Sequence, residues 1–337
     1  MARLDLVNAR VGARRTRLLG PGGLRELASR PTLEARLALL RSGGWAAAVP
    51  AEGEAVGVEA IEAGLRRTQR LESAWLLGQV EGSAARRVLG AFLGLAEADA
   101  VTAVLRGVQG GAALEQSLAA APGTPGLDDA PLRAAAAAPT VEAAVEALAG
   151  AGHRFAPALV AALPERAQLG LAPLELAVER AAVAVAAAAT RCAGEDGRVL
   201  RSHLAERIDV RNAALLLSLA NGGVPPAPGS LFLEGGRRLA VPRLVSLAGA
   251  PLTEVLAALA TATSGVPAMA TPWGAELSLG RMVLDSARRA ARAWPLSVAV
   301  PLAYLLERRD EARRIAVLLR GTAFELPAEQ VLDLLEA

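Results

Sequence analysis

The chain has 337 residues, a net charge of +2 and 53% hydrophobic residues, of which only a small share is aromatic. Much of the apolar content is alanine, the best helix former, and the thin supply of aromatic and β-branched residues argues against a β-sandwich or barrel. All 36 basic side chains are arginine, and the near balance with 34 acids gives no support to a nucleic-acid partner.

Taken in chain order, the pattern predicts helices throughout and a repeat that organises them. The N-terminus has no apolar targeting segment; Asp5-Leu6-Val7-Asn8 opens a first helix running towards Gly20. Gly20-Pro21-Gly22-Gly23 reads as a turn, with no preceding strand that would make it a phosphate cradle. Pro31-Thr32-Leu33-Glu34 then opens a helix ended by Gly43-Gly44. Proline, a capping threonine and a first-turn acid all suit a helix N-terminus. A longer helix carries Ile61-Glu62 and Leu65-Arg66, and another runs from Asp99 to Gly110-Gly111.

The same pieces return. Pro139-Thr140-Val141-Glu142 repeats the opening, Leu174-Glu175 with Val178-Glu179-Arg180 repeats the second piece, and Asp209-Val210-Arg211-Asn212 through Asn221-Gly222-Gly223 repeats the third. A last set comprises Pro251-Leu252-Thr253-Glu254, then Leu279 with Val283-Leu284-Asp285, then Glu311 through Gly321. The prolines recur at roughly 110 residues, and the acids Asp99, Asp209 and Glu311 follow them by roughly 60–70, a period expected of stacked helical units. Asp209 reads as an N-cap, and the N-terminal helix as a partial fourth copy. Pro/Gly-rich stretches at 110–139 and 222–236 read as linkers. These boundaries predict an all-α chain of three units, 1–111, 112–223 and 224–337, with superposable cores near 20–111, 122–223 and 234–321.

No pattern for chemistry emerges. A phosphate loop of the Gly-x4-Gly-Lys type requires lysine, and Gly-x-Ser-x-Gly, His-Glu-x-x-His and Cys-x-x-Cys are absent. His153 and His203 read as surface or cap residues, Cys192 as a small buried hydrophobe in an alanine-rich run, and Asp128-Asp129 as solvated linker. No catalytic residue, cofactor or metal is expected. No run reads as a membrane span; the candidate Pro295 to Leu306 is short and holds two prolines. Arginines cluster at Arg14-Arg15 with Arg17, at Arg288, Arg289 and Arg292, and at Arg308, Arg309 and Arg313 with Arg314. With Trp294 and Tyr304 the only aromatics near, these clusters suit a solvated or protein-facing surface better than a nucleic-acid groove.

The C-terminal run resembles a known family. Trp294-Pro295-Leu296-Ser297, Pro301-Leu302-Ala303-Tyr304-Leu305, Glu311-Ala312-Arg313-Arg314 and Arg320-Gly321, together with Asp209 and Asn212, look like the signature of the C subunit of V-type and A-type ATPases, known as the d subunit in eukaryotes. Arg314 and Thr102 each stand where that family usually has asparagine. The resemblance implies an all-α funnel of three helical bundles about a pseudo-threefold axis. It implies a non-catalytic, single-copy central-stalk socket, peripheral on the cytoplasmic face of the membrane. Its partners would be the central-shaft proteins and the membrane rotor ring, in proton or sodium transport. Asp209, Asn212, Glu311 and Arg314 are then structural repeat positions, and Arg288, Arg289, Arg292, Arg308, Arg309 and Arg313 a candidate interface. The competing reading is a helical-repeat scaffold that binds some other protein.

Overall fold

A computed structural model describes residues 4–50, 57–80, 82–125, 130–191, 194–220, 227–262 and 271–336. Cys192, Asp128 and Asp129, the glycines at 222, 223 and 265, and the first part of the second linker, 222–226, lie outside these residues. The described residues are all-α, with seventeen α-helices and no strand. In order they are α1 (Leu4–Arg15), α2 (Gly20–Ser29), α3 (Leu33–Ser42), α4 (Val58–Gln79), α5 (Ser83–Gln109), α6 (Leu114–Ala120), α7 (Ala130–Ala136), α8 (Val141–Gly150), α9 (Ala156–Ala162), α10 (Arg166–Leu169) and α11 (Ala172–Ala189). There follow α12 (Glu195–Leu219), α13 (Val241–Leu247), α14 (Leu252–Ala262), α15 (Pro272–Ala293), α16 (Ala299–Ala323) and α17 (Ala328–Glu336).

The repeat openings behave as their residues dictate. Thr32 accepts the N–H of Ala35 and Thr140 that of Ala143, each at 3.2 Å, so both are N-caps that satisfy an otherwise orphaned donor. In the third copy Leu252 takes the threonine's place and α14 begins there. Two expectations change. Gly20-Pro21-Gly22-Gly23 is the first turn of α2, not a free turn, because Pro21 sits where its missing N–H is harmless. The stretch 110–139 is no mere linker: it carries α6 and α7, whose leucines Leu118 and Leu132 are buried.

Two helices of 7–11 residues and then two long helices recur three times, ending in α5, α12 and α16, with α9 and α10 intervening before α11 in the second set. The long helices pack between copies. α5 lies on α11, α12 on α15, and α16 returns to lie on α4, which brings the end of the chain onto its beginning. That closure has its own core: Leu27, Leu37, Leu40, Trp45, Ile61 and Leu65 bury against Ile315, Leu318, Leu319 and Val331. Alanines such as Ala100, Ala186 and Ala303 are fully or almost fully buried, letting helices approach closely. α5 is apolar and long enough to cross a membrane by length and composition, yet 72% of its apolar window is buried among α6, α7, α11 and α12. Core packing accounts for that composition.

Candidate partner-binding site

The three longest helices share one register. Glu97-Ala98 through Leu105-Arg106-Gly107 aligns without a gap on Glu311-Ala312 through Leu319-Arg320-Gly321, and on Asp209 through Leu217. The apolar positions agree in burial: Val101, Ala213 and Ile315, then Val104, Leu216 and Leu318. The repeat acid of the first copy is therefore Glu97, not Asp99. Two acids in α5, two residues apart, made the sequence ambiguous.

These acids stand in mid-helix and reach out to neighbouring segments. Asp209 lies deep within α12, so it is not an N-cap. Its carboxylate accepts the backbone N–H groups of Arg237, Arg238 and Leu239 at 3.0, 2.9 and 3.1 Å. The chain comes so close that a Cβ on Gly236 would lie 2.3 Å from Asp209 Oδ1. One turn on, Asn212 donates to the carbonyl of Leu233 and accepts its N–H, at 2.8 and 2.9 Å. Glu311 accepts the indole N–H of Trp45 at 2.7 Å and the N–H of Gly20 at 3.0 Å. Burial pushes its carboxyl pKa up, against the pull of these donors and of Arg308. Glu97 pairs with Arg154 and lies 3.1 Å from Nε2 of His153. His153 Nδ1 accepts the N–H of Phe155, so the neutral ring donates from Nε2. Each acid thus holds a segment that follows it in cyclic order, α5 to 153–154, α12 to 236–239, α16 to 20 and 45. Arg314 departs from this pattern, since its guanidinium turns back to Asp310 at 2.7 Å. In α1, Asn8 donates to the carbonyls of Pro295 and Ser297, tying the N-terminal helix to the start of α16.

Asp99 has another partner. It forms a forked pair with Arg207 of α12 at 2.6 and 3.1 Å, and Glu179 of α11 joins at 3.3 Å. Burial opposes the charge on Arg207, but Asp99 and Glu179 outweigh it and raise its pKa. His203, one turn earlier, is not a surface residue. It is buried against Phe92 with ring centroids 5.0 Å apart, and burial, aided by Arg207 and Arg309, pushes its pKa down to about 3. Tyr304 is likewise buried, and its pKa is pushed up to about 12 by burial and the charge of Glu72.

The candidate interface arginines do not form one surface. Arg308 is buried, stacked 3.6 Å over the Trp45 ring and bonded to the carbonyl of Gly44 at 2.7 Å, so it is engaged inside the chain. Arg288 bridges Glu307 at 2.8 Å and Asp285 at 3.3 Å. Arg14 and Arg15 pair with Glu72 and Glu307. Arg289 and Arg292 are exposed on α15. Arg309 and Arg313 line a groove of about 390 Å³ between α12 and α16, floored by Leu277, Val283 and Leu284 of α15. Arg313 pairs with Asp310 at 3.0 Å; among the described residues no hydrogen bond or ion pair reaches the half-buried Arg309.

The match that decides the family is to the ATP synthase (C/AC39) subunit model, which covers residues 7–334. The chain belongs to the C (AC39) subunit family of V- and A-type ATP synthases. Its relatives in that family agree. The chain is 30% identical over 329 residues to the C subunit of the A-type ATP synthase of Haloferax volcanii, covering 94% of this chain and 92% of the relative. It is 35% identical over 189 residues to the C subunit of the V-type ATP synthase of Thermus thermophilus, covering 55% of each. Within a rotary complex of this kind the C subunit is non-catalytic, which shifts the question from reaction chemistry to contacts.

Proposed function

We propose that this chain is the socket of a rotary V/A-type ATPase, three helical units about a pseudo-threefold axis that couple the central shaft to the membrane rotor ring. The observation that carries the reading is the closed order of packing, α5 on α11, α12 on α15 and α16 on α4, with each inner acid clasping the next segment. A ring of helices closed on itself transmits torque without a hinge, because interior packing is as dense as a crystal and yields little. The groove between α12 and α16, with Arg309 and Arg313 set beside the apolar floor of α15 and Arg309 left unpaired among the described residues, suits an amphipathic protein segment. The chain would sit in one copy on the cytoplasmic face of the ring, in proton or sodium transport, bound to both partners at once. The test is a bridging assay. Purified chain is mixed with shaft proteins alone, with detergent-solubilised ring alone, and with both. Binding to each and a ternary complex support the socket; binding to neither returns the chain to the class of general helical scaffolds.

A further inference from the structure

Two grooves of the same construction lie beside α12, and they differ in how far their charges are paired. The first, between α5 and α12 over α11, spans about 800 Å³ and carries Asp99, Glu175 and Glu179 against Arg106 and Arg211. Its ions are matched: Arg106 grips Glu175 with two bonds of 2.6 and 2.8 Å. The second, between α12 and α16 over α15, carries Arg207, Arg309 and Arg313 against Asp310 alone, beside an apolar floor. Arg207 turns to Asp99 and Glu179, and Asp310 already serves both Arg313 and Arg314. Arg309 occupies the register of Arg207, two residues before the repeat acid, but among the described residues no carboxylate is bonded to it.

Resting on the socket reading, we infer that the α12–α15–α16 groove receives one amphipathic shaft helix whose carboxylate pairs with Arg309, fixing the shaft in one of the pseudo-equivalent rotational registers. Apolar side chains of that helix lie on Leu277, Val283 and Leu284. In the first groove the equivalent charges are already met: Arg106 is held by Glu175, and Arg207, in the register of Arg309, is held by Asp99 and Glu179. Burial already lowers the pKa of Arg309, so a carboxylate arriving there relieves a desolvated charge.

The experiment uses the full chain with the shaft proteins of its own complex. A photoreactive residue is placed at position 280, where a side chain meets nothing within 4 Å, or at position 218 in the first groove. Cross-linking at 280 to a single acid-bearing shaft segment, with none of that segment at 218, is the expected result. Arg309→Glu should weaken binding at low salt by about tenfold or more, and Arg309→Gln by less, as for partly buried charge pairs. A melting point within the wild-type range shows that each variant is folded; if Arg309→Glu is not, Arg309→Gln and Arg313→Glu carry the comparison. Equal cross-linking of one segment at both positions, or affinity unchanged by these variants, overturns the register while leaving the socket standing. Failure of the wild-type chain to bind the shaft overturns both.

Discussion

Glu311 accepts the indole N–H of Trp45 at 2.7 Å, a bond that joins residues 266 apart in sequence and closes the last long helix onto the first units of the chain. Both side chains are buried, and Arg308 covers the other face of the indole. Trp45→Phe keeps most of the packing and removes the donor. We expect a loss of about 1–3 kcal/mol, the range for leaving a buried acceptor short of a partner. Urea titrations of Trp45→Phe, Glu311→Gln and the double variant should yield a coupling energy of the same sign; additive effects would remove the bond from the closure.

Asp209→Ala should cost more than a lost cap. It frees three backbone N–H groups at once, and each hydrogen bond to a charged group contributes roughly 1.5–3 kcal/mol. We expect about 3 kcal/mol or more, with Asp209→Asn intermediate. Gly236→Ala should destabilise through the same contact. Denaturant midpoints read all three, and a wild-type midpoint for Asp209→Ala contradicts the clasp.

The acid limb of stability should depend on His203. Its folded pKa of about 3 lies below the unfolded value, so the unfolded chain takes up a proton first as pH falls. Stability therefore drops between about pH 6.5, the unfolded histidine value, and 3. His203→Leu should flatten that drop in melts run across the range. An unchanged acid limb would mean that the imidazole is hydrated.

Glu206 acts with the opposite sign. Burial raises its pKa despite the bond from Ser286 at 2.6 Å and the nearby Arg237, Arg238 and Arg289. The folded state holds this proton more tightly, so stability is lost as pH rises from the usual carboxylate range through the raised value. Glu206→Gln should be relatively more stable, against wild type, at neutral pH than at about pH 4, near the ordinary carboxylate value. The reverse ordering would show that the carboxylate is stabilised where it stands.

Much of the fold was legible because helices carry local signals. Thr32 and Thr140 mark their own caps, and Pro31 and Pro139 set the period. The site was less legible because its logic is tertiary. Asp209 carries the composition of an N-cap, and only packing reveals that the backbone it holds lies about 28 residues on, in a segment that leaves three N–H groups exposed to it. Asp99 competed with Glu97 for the repeat position; burial of Val101, Val104 and Leu105 settled the register. The Arg308–Arg309–Arg313 cluster looked like one charged face, yet residues one apart on a helix point about 100° apart. Arg308 went to Trp45 and Arg309 to the groove.

The most direct measurement of the socket role is ATP-driven ion uptake in reconstituted vesicles holding the membrane sector, to which catalytic sector and shaft are added with or without this chain. With the chain present, uptake should start and the catalytic sector should sediment with the vesicles; without it, hydrolysis should continue in solution and uptake should fail. Equal uptake in the absence of the chain would contradict its place between shaft and ring.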